Sequence, residues 1–428
     1  MKEELKISFR SLLFRWKQYV SLFFVCIFGI GISLFSLFLM KGMLLSLEEK
    51  AKIYYGGDYQ FVGETADLDI YRPEKIINVL KKVFPEETKI CERYDLDAIY
   101  STFYFEGTGV RQKVIKGIHF EDEFDLLSSL NFIEGKIENF LEDNKNYVLL
   151  SEPISKMLGV HLGDSITFLI KNRWGQLDTR DIIVKGIFRD SSLFGMYTSY
   201  MDINFLKEIN KYPDDYINRI CINLPNKNSK KDALYFQKEL EKELPMFPLC
   251  EDKKEFYNVR WTIEMPKYAL IKLSANLQDV QILIDAMKLI STLVIVILVI
   301  IIIAGVSSTY RVIVMKRINE IGIYKALGIT RQKISIMFLM ETFFIILSGC
   351  VFGFVFSLVL CKLISLFDFS FIPAFDIFLV CGKMIPVVNF TYTILICFIV
   401  FVTTLVAVWF SIKKSVEISP CEALSVVE

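Results

Sequence analysis

The chain has 428 residues, 53% of them hydrophobic and 37 of them phenylalanine, while 49 basic and 49 acidic side chains bring its net charge to zero. That apolar share exceeds the ordinary globular range, and it is concentrated in four runs long enough to cross a bilayer, for which about 20 residues suffice. Between Lys41 and Lys288 acidic residues outnumber basic ones by 40 to 34, which argues against a nucleic-acid ligand.

The first 18 residues place Leu5, Phe9, Leu12, Leu13 and Trp16 on one helical face and Lys2, Lys6, Arg10, Arg15 and Lys17 elsewhere. This predicts an interfacial, cytoplasmic elbow helix over 1–18 that leads into a first span over 19–40. A cleaved signal peptide is the weaker alternative, because the apolar run is too long and Met40-Lys41-Gly42 offers no small-residue cleavage site.

Residues 41–288 are expected outside the membrane. Tyr59 to Val62 reads as a strand and Pro73 to Phe84 as a helix opened by proline. Ala98, Tyr100, Thr102 and Tyr104 alternate as in a half-buried strand. A second set follows: Ile217 to Leu224 as strand, Asp232 to Leu244 as helix, Tyr257 to Ile263 as strand. These define two α+β parts, about 52–125 and 200–265, around a β-rich insert at about 132–199, where Ile166, Phe168 and Ile170 alternate and so do Ile182 and Val184. A stalk helix over about 273–288 carries Leu277, Val280, Leu283, Ile284 and Met287 at helical spacing, with Leu44, Leu47 and Ala51 its counterpart above the first span.

The second span covers 289–310. The segment 311–333 then carries Arg311, Lys316, Arg317, Lys325, Arg331 and Lys333 against the single acid Glu320, which assigns it to the cytoplasm. Ile321, Tyr324, Ala326 and Leu327 recur at helical spacing within it, so a short amphipathic helix is predicted, ended by Gly328, with Thr330 capping the next helix. The third span, 334–361, is interrupted by Glu341. That carboxylate has two readings: it pairs with a basic residue of the preceding segment or reaches the headgroups, or it serves proton or substrate movement. Gly349, Gly353 and Ser357 follow at intervals of four, a spacing that lets helix backbones approach closely in lipid. An external loop and the start of the last helix occupy 362–390, the fourth span 391–412, and a cytoplasmic tail 413–428. The fold class is therefore an α-helical integral membrane protein with four transmembrane helices and a large α+β extracytoplasmic domain.

Catalytic and metal-binding patterns are missing. There is no phosphate-binding loop, nucleophile elbow or zincin motif, and the two histidines, His119 and His161, stand alone. Neither catalytic, cofactor-binding nor metal-binding residues are assigned, and the chain is expected to be a non-enzymatic device driven from elsewhere. Cys91, Cys221 and Cys250 belong to the external domain; one disulfide among them has no pairing that the sequence reveals.

With these residues in view, the chain resembles the FtsX-like permeases of ABC transporters, the four-span group that includes MacB and the lipoprotein-releasing permeases LolC and LolE. Arg317, Glu320, Ile321, Gly322, Lys325, Ala326, Leu327 and Gly328 match the Arg-x-x-Glu-Ile-Gly-x-x-Lys-Ala-Leu-Gly segment of that family, and Pro420-Cys421-Glu422-Ala423-Leu424 is similar to its C-terminal ending. Lys116-Gly117-Ile118 and Glu134-Gly135 are similar to the lipoprotein-releasing branch, with His119-Phe120 where Asp-Pro is usual. The resemblance implies a two-part porter-like external domain and a permease working by mechanotransmission in the bacterial inner membrane, both termini in the cytoplasm. The eight matched residues would engage a cytoplasmic ABC ATPase dimer that binds the ATP and magnesium, with Glu341, Gly349 and Gly353 serving packing and coupling between spans. A second permease chain, identical or paralogous, a lipoprotein or peptide substrate, membrane lipid and a periplasmic carrier are the other implied partners. Lipoprotein extraction leads. The alternatives are peptide or drug efflux with a separate ATPase, and FtsX-like regulation of a cell-wall hydrolase.

Overall fold

The structure is a computed structural model. It describes residues 10, 14–63, 68–141, 146–190, 192, 194–225, 233–259 and 267–415. Most of the expected elbow helix, the Pro-Cys-Glu-Ala-Leu ending and the end of the strand expected to reach Ile263 lie outside these residues. The chain divides into two compact units. One comprises Met1–Leu44, Ile284–Asp368 and Lys383–Glu428, the other Leu45–Leu283 and Phe369–Gly382.

The first helix, α1, covers Trp16–Tyr55. After it come β1 (Tyr59–Val62), β2 (Ile70–Tyr71), α2 (Pro73–Val83), β3 (Lys89–Asp97), β4 (Ser101–Phe105), β5 (Thr108–Arg111) and β6 (Val114–Ile118). Then follow β7 (Phe132–Gly135), β8 (Tyr147–Ser151), β9 (Ser165–Lys171), β10 (Leu177–Phe188), β11 (Thr198–Asp202) and α3 (Ile203–Asn210). The α/β unit closes with β12 (Tyr216–Ile217), β13 (Arg219–Asn223), α4 (Ala233–Leu240), α5 (Lys253–Val259) and β14 (Ala269–Lys272). As the sequence suggested, proline opens α2. Asp202 caps α3, accepting from the backbone N–H groups of Asn204 and Phe205.

One mixed sheet runs through the α/β unit in the order β14-β1-β13-β3-β6-β11-β8-β10-β9-β4-β5, with β7 on β10. Two of its pairings, β6 with β11 and β8 with β10, are parallel. β8 and β11 are buried along their whole length, as expected for strands covered on both faces. Ile166, Phe168 and Ile170 on β9, with Ile182 and Val184 on β10, supply the inward set that their alternation predicted, and they share one core with Phe61, Leu80 and Ile220.

Three expectations differ from the structure here. The two-part division around an insert is not seen, because β8 of the insert pairs with β11 and β4 joins β9, so the insert strands sit inside the common sheet. Of the alternation set Ala98, Tyr100, Thr102 and Tyr104, Ala98 does lie in the core, but along β4 the phase is opposite: Phe103 is the core residue, Tyr104 is exposed, and Tyr100 lies in a turn and is exposed. Tyr257 belongs to the helix α5, not to a strand.

The other unit contains the apolar part of α1 together with α6 (Gln281–Lys316), α7 (Ile318–Ala326), α8 (Arg331–Ile364) and α9 (Phe390–Ser415). Four helices of the described residues are long and apolar enough to cross a membrane, and they contain the four predicted spans. The stalk expected from residue 273 is not one uninterrupted α-helix, since Leu277–Val280 is a 3-10 turn before α6. Cys26, Ile30, Leu34 and Phe38 pack with Ile302, Val306, Tyr310 and Ile345 in the core of this unit.

Candidate functional site

The family-like segment forms a break between two long helices. Arg317 leaves helical geometry at the end of α6 and begins α7. At the other end Gly328 has φ +81, which a side-chain-bearing residue adopts only at a cost. Its N–H donates to the Lys325 carbonyl at 3.0 Å and that of Ile329 to the Tyr324 carbonyl at 3.0 Å. This is a Schellman closure, and it satisfies carbonyls that a helix end leaves unpaired. Thr330 does stand at the N-cap of α8, but its side chain makes no cap hydrogen bond.

Behind α7 lies a buried polar cluster. The Arg317 guanidinium donates to Glu341 Oε2 at 2.7 Å, to the Tyr19 hydroxyl at 3.1 Å and to Glu320 Oε2 at 3.0 Å. Tyr19 in turn donates to Glu341 Oε2 at 2.7 Å. Arg15 pairs with Glu320, and the Arg317 guanidinium stacks over the Phe338 ring at 4.6 Å. The side chains of Arg317 and Glu341 are 4% and 2% exposed, so each neutralises a charge that would be costly to leave alone there. Glu341 has thus met a basic residue of the preceding segment. Three elements, α1, α8 and the start of α7, converge on one guanidinium.

α7 itself has two faces. Ile318, Ile321 and Gly322 are buried, whereas Ile323, Ala326, Leu327 and Gly328 are exposed. Of the eight matched residues, Arg317, Ile321 and Gly322 therefore face the bundle, Glu320 and Lys325 are half-exposed, and Ala326, Leu327 and Gly328 are accessible. Sequence reasoning missed Ile323, exposed by 51% beside Leu327 at 73%. It also missed Tyr19. The signal for Ile323 was present: once positions 318, 321 and 322 form the inner face, positions 323 and 327 must lie opposite.

Gly349, Gly353 and Ser357 are all buried on α8. A Cβ on Gly349 would come within 2.6 Å of Cys26 Cβ, and one on Gly353 within 3.1 Å of Ile30 Cβ and 3.3 Å of the Gly31 nitrogen. The stripe is thus the seat of α1, and Gly31, a Cβ on which would meet Phe356 at 2.6 Å, supplies the matching gap on the other helix. In the α/β unit, His161 Nδ1 lies 3.0 Å from Glu134 Oε1. That hydrogen bond raises the imidazole above its usual range and lowers the carboxyl. Among the described residues no group of His, Cys, Asp and Glu could hold a metal ion.

The four-helix unit thus has a connecting helix clamped from behind and open in front. Residues 270–420 match the family model of the FtsX-like permease C-terminal domain. For that part of the chain, the FtsX-like resemblance carried by Arg317 to Gly328 is borne out. No curated protein sequence matches it. Among solved structures, the periplasmic region of MacB from Actinobacillus actinomycetemcomitans is similar over 54% of this chain and 95% of that one, at 12% identity and a TM-score of 0.33.

Proposed function

We propose that this chain is the permease subunit of an ABC transporter in the bacterial inner membrane, driven by a separate ATPase dimer seated on the exposed face of α7. The observation that carries the reading is that face: Ile323, Ala326 and Leu327 are presented outward by a helix whose back is fixed through Arg317, Glu341 and Tyr19. An apolar surface held rigidly by a buried ion pair suits the transfer of force, because displacement of the helix must displace α1 and α8 with it. ATP and magnesium belong to the partner, a second permease chain completes the pair, and the large domain lies outside.

Lipoprotein extraction remains the leading substrate reading, on weaker ground. Of the residues that suggested it, Lys116 is buried against Asp95 at 3.0 Å. Gly117 packs under the α3 backbone, where a Cβ would meet Ile203 Cα at 3.2 Å, and Gly135 has φ +78. All three serve the fold, so the substrate must be found by identifying an acylated protein that co-purifies. The docking reading has its own test. Leu327→Glu and Ile323→Glu should each lower permease-stimulated ATP hydrolysis at least tenfold, the loss of about 1.4 kcal/mol or more typical of an interface anchor, while the chain still inserts. Undiminished stimulation in both variants overturns it.

A further inference from the structure

We propose that Cys91 and Cys221 are a redox site, a dithiol that a disulfide-bearing oxidant converts to a cross-strand disulfide at the end of α1. The proposal is independent of the permease reading. β3 and β13 are antiparallel neighbours, and their register sets Cys91 directly opposite Cys221. Opposed residues of such a pair have Cα atoms about 4.5–5.5 Å apart, inside the range of about 4.4–6.8 Å that a disulfide requires. Their side chains leave the sheet on the same face. This register supplies the pairing that the sequence left open among three cysteines.

The two thiols have different surroundings. Cys221 is fully buried and donates to the Tyr55 carbonyl at 3.3 Å. It completes a set, because Arg93, itself paired with Glu123, donates to the carbonyls of Ile53 at 3.0 Å and Tyr54 at 2.9 Å. Arg93 and Cys221 thus cap three successive carbonyls of the last turn of α1. Cys91 is half-buried, lies 3.6 Å from the Asp122 carbonyl, and lines an open cavity of about 560 Å³ with Gly56, Lys89 and Glu123. Burial pushes both thiols up to about 12, so neither ionises readily and exchange needs a competent oxidant.

Access orders the steps. The Cys91 thiol gives up its proton, and its thiolate attacks one sulfur of the oxidant's disulfide. That bond breaks, a mixed disulfide forms, and the other half leaves as a thiolate that takes a proton. Cys221, deprotonated in turn, attacks the Cys91 sulfur and expels the second half. Two protein thiols are oxidised by two electrons, and one oxidant disulfide is reduced to two thiols. Cys221 must release the Tyr55 carbonyl, which keeps the Gln60 side-chain amide as its other donor at 2.8 Å.

The experiment incubates the full chain in detergent with oxidised glutathione, quenches it with acid, alkylates it under denaturing conditions and maps the peptides. Cys91 and Cys221 should lose alkylation together and appear as one linked peptide pair, lighter by two hydrogen atoms and recovered by a reducing dithiol. Cys221→Ser should leave Cys91 as the glutathione adduct, and Cys250→Ser should bridge as the unaltered chain does. A stable glutathione adduct on Cys91 of the unaltered chain, or full alkylation of both cysteines after oxidation, overturns the proposal.

Discussion

Glu341 interrupts a helix that is otherwise apolar over most of its length, and its neighbours explain why it is tolerated. Arg317 can donate in several directions from one planar group, and it does so toward Glu341, Tyr19 and Glu320 together. Removing one partner of such a pair strands the other charge, at a cost of about 3–5 kcal/mol, whereas replacing both with apolar groups is often close to neutral. Glu341→Leu is therefore expected to lower the temperature at which the detergent-solubilised chain loses monodispersity, and adding Arg317→Met should recover most of that loss. If the double variant is as unstable as the single one, the cluster has a role beyond charge neutralisation within the bundle. The position of Glu341, eight residues past Lys333, indicated a basic partner but not which one. The residue chosen lies 24 positions back in the chain, brought there by the turn at the start of α7, and no helical periodicity encodes such a turn.

At the scale of elements, the long apolar helices and the strands with strict alternation were legible because their periods report burial directly: β9 and α2 fall where the pattern put them. What was not legible depends on contacts distant in sequence. The hairpin of β4 and β5 pairs with β9, more than sixty positions further on, and that pairing, rather than the local pattern, makes Phe103 the inward residue. The connecting helix is intermediate. Its end was readable from Gly328, but its orientation was not, since Ile321 and Ile323 look alike until the inner face is known. Gly328 lets the two roles of the segment be separated. A Cβ there would meet nothing within 4 Å, so substitution acts through backbone conformation alone. Gly328→Val should weaken the closure of α7 by about 1–2 kcal/mol, read as faster amide exchange at Gly328-equivalent and Ile329 positions, and Gly328→Asn should do so less. Equal exchange in all three chains would mean that the left-handed closure is not what holds the helix end.

At the scale of the α/β unit as a whole, continuity of the sheet decides what can be removed. A separately folded insert could be excised at its base and leave a stable remainder, as the two-part reading implied. The observed order forbids this. Excision of residues 132–197, closed by a short Gly-Ser linker, takes away β7 to β10. It leaves β11 with an unpaired edge where β8 had been and β4 without β9. It also removes Val148, Leu150, Ile166, Phe168, Ile170, Ile182 and Val184 from the core they share with Phe61, Leu80 and Ile220. Each fully buried side chain of this kind contributes about 1.5–3 kcal/mol relative to exposure, and a domain's whole net stability is about 5–15 kcal/mol. The seven together contribute about 10–21 kcal/mol, which matches or exceeds that margin, and the remainder should not fold. The expected outcome is rapid proteolysis throughout residues 59–131 and 198–259, and loss of the cooperative thermal transition of the unit. A protease-resistant remainder that unfolds cooperatively would mean that β6 and β11 close a core without the insert, and that the sheet is two domains joined edge to edge.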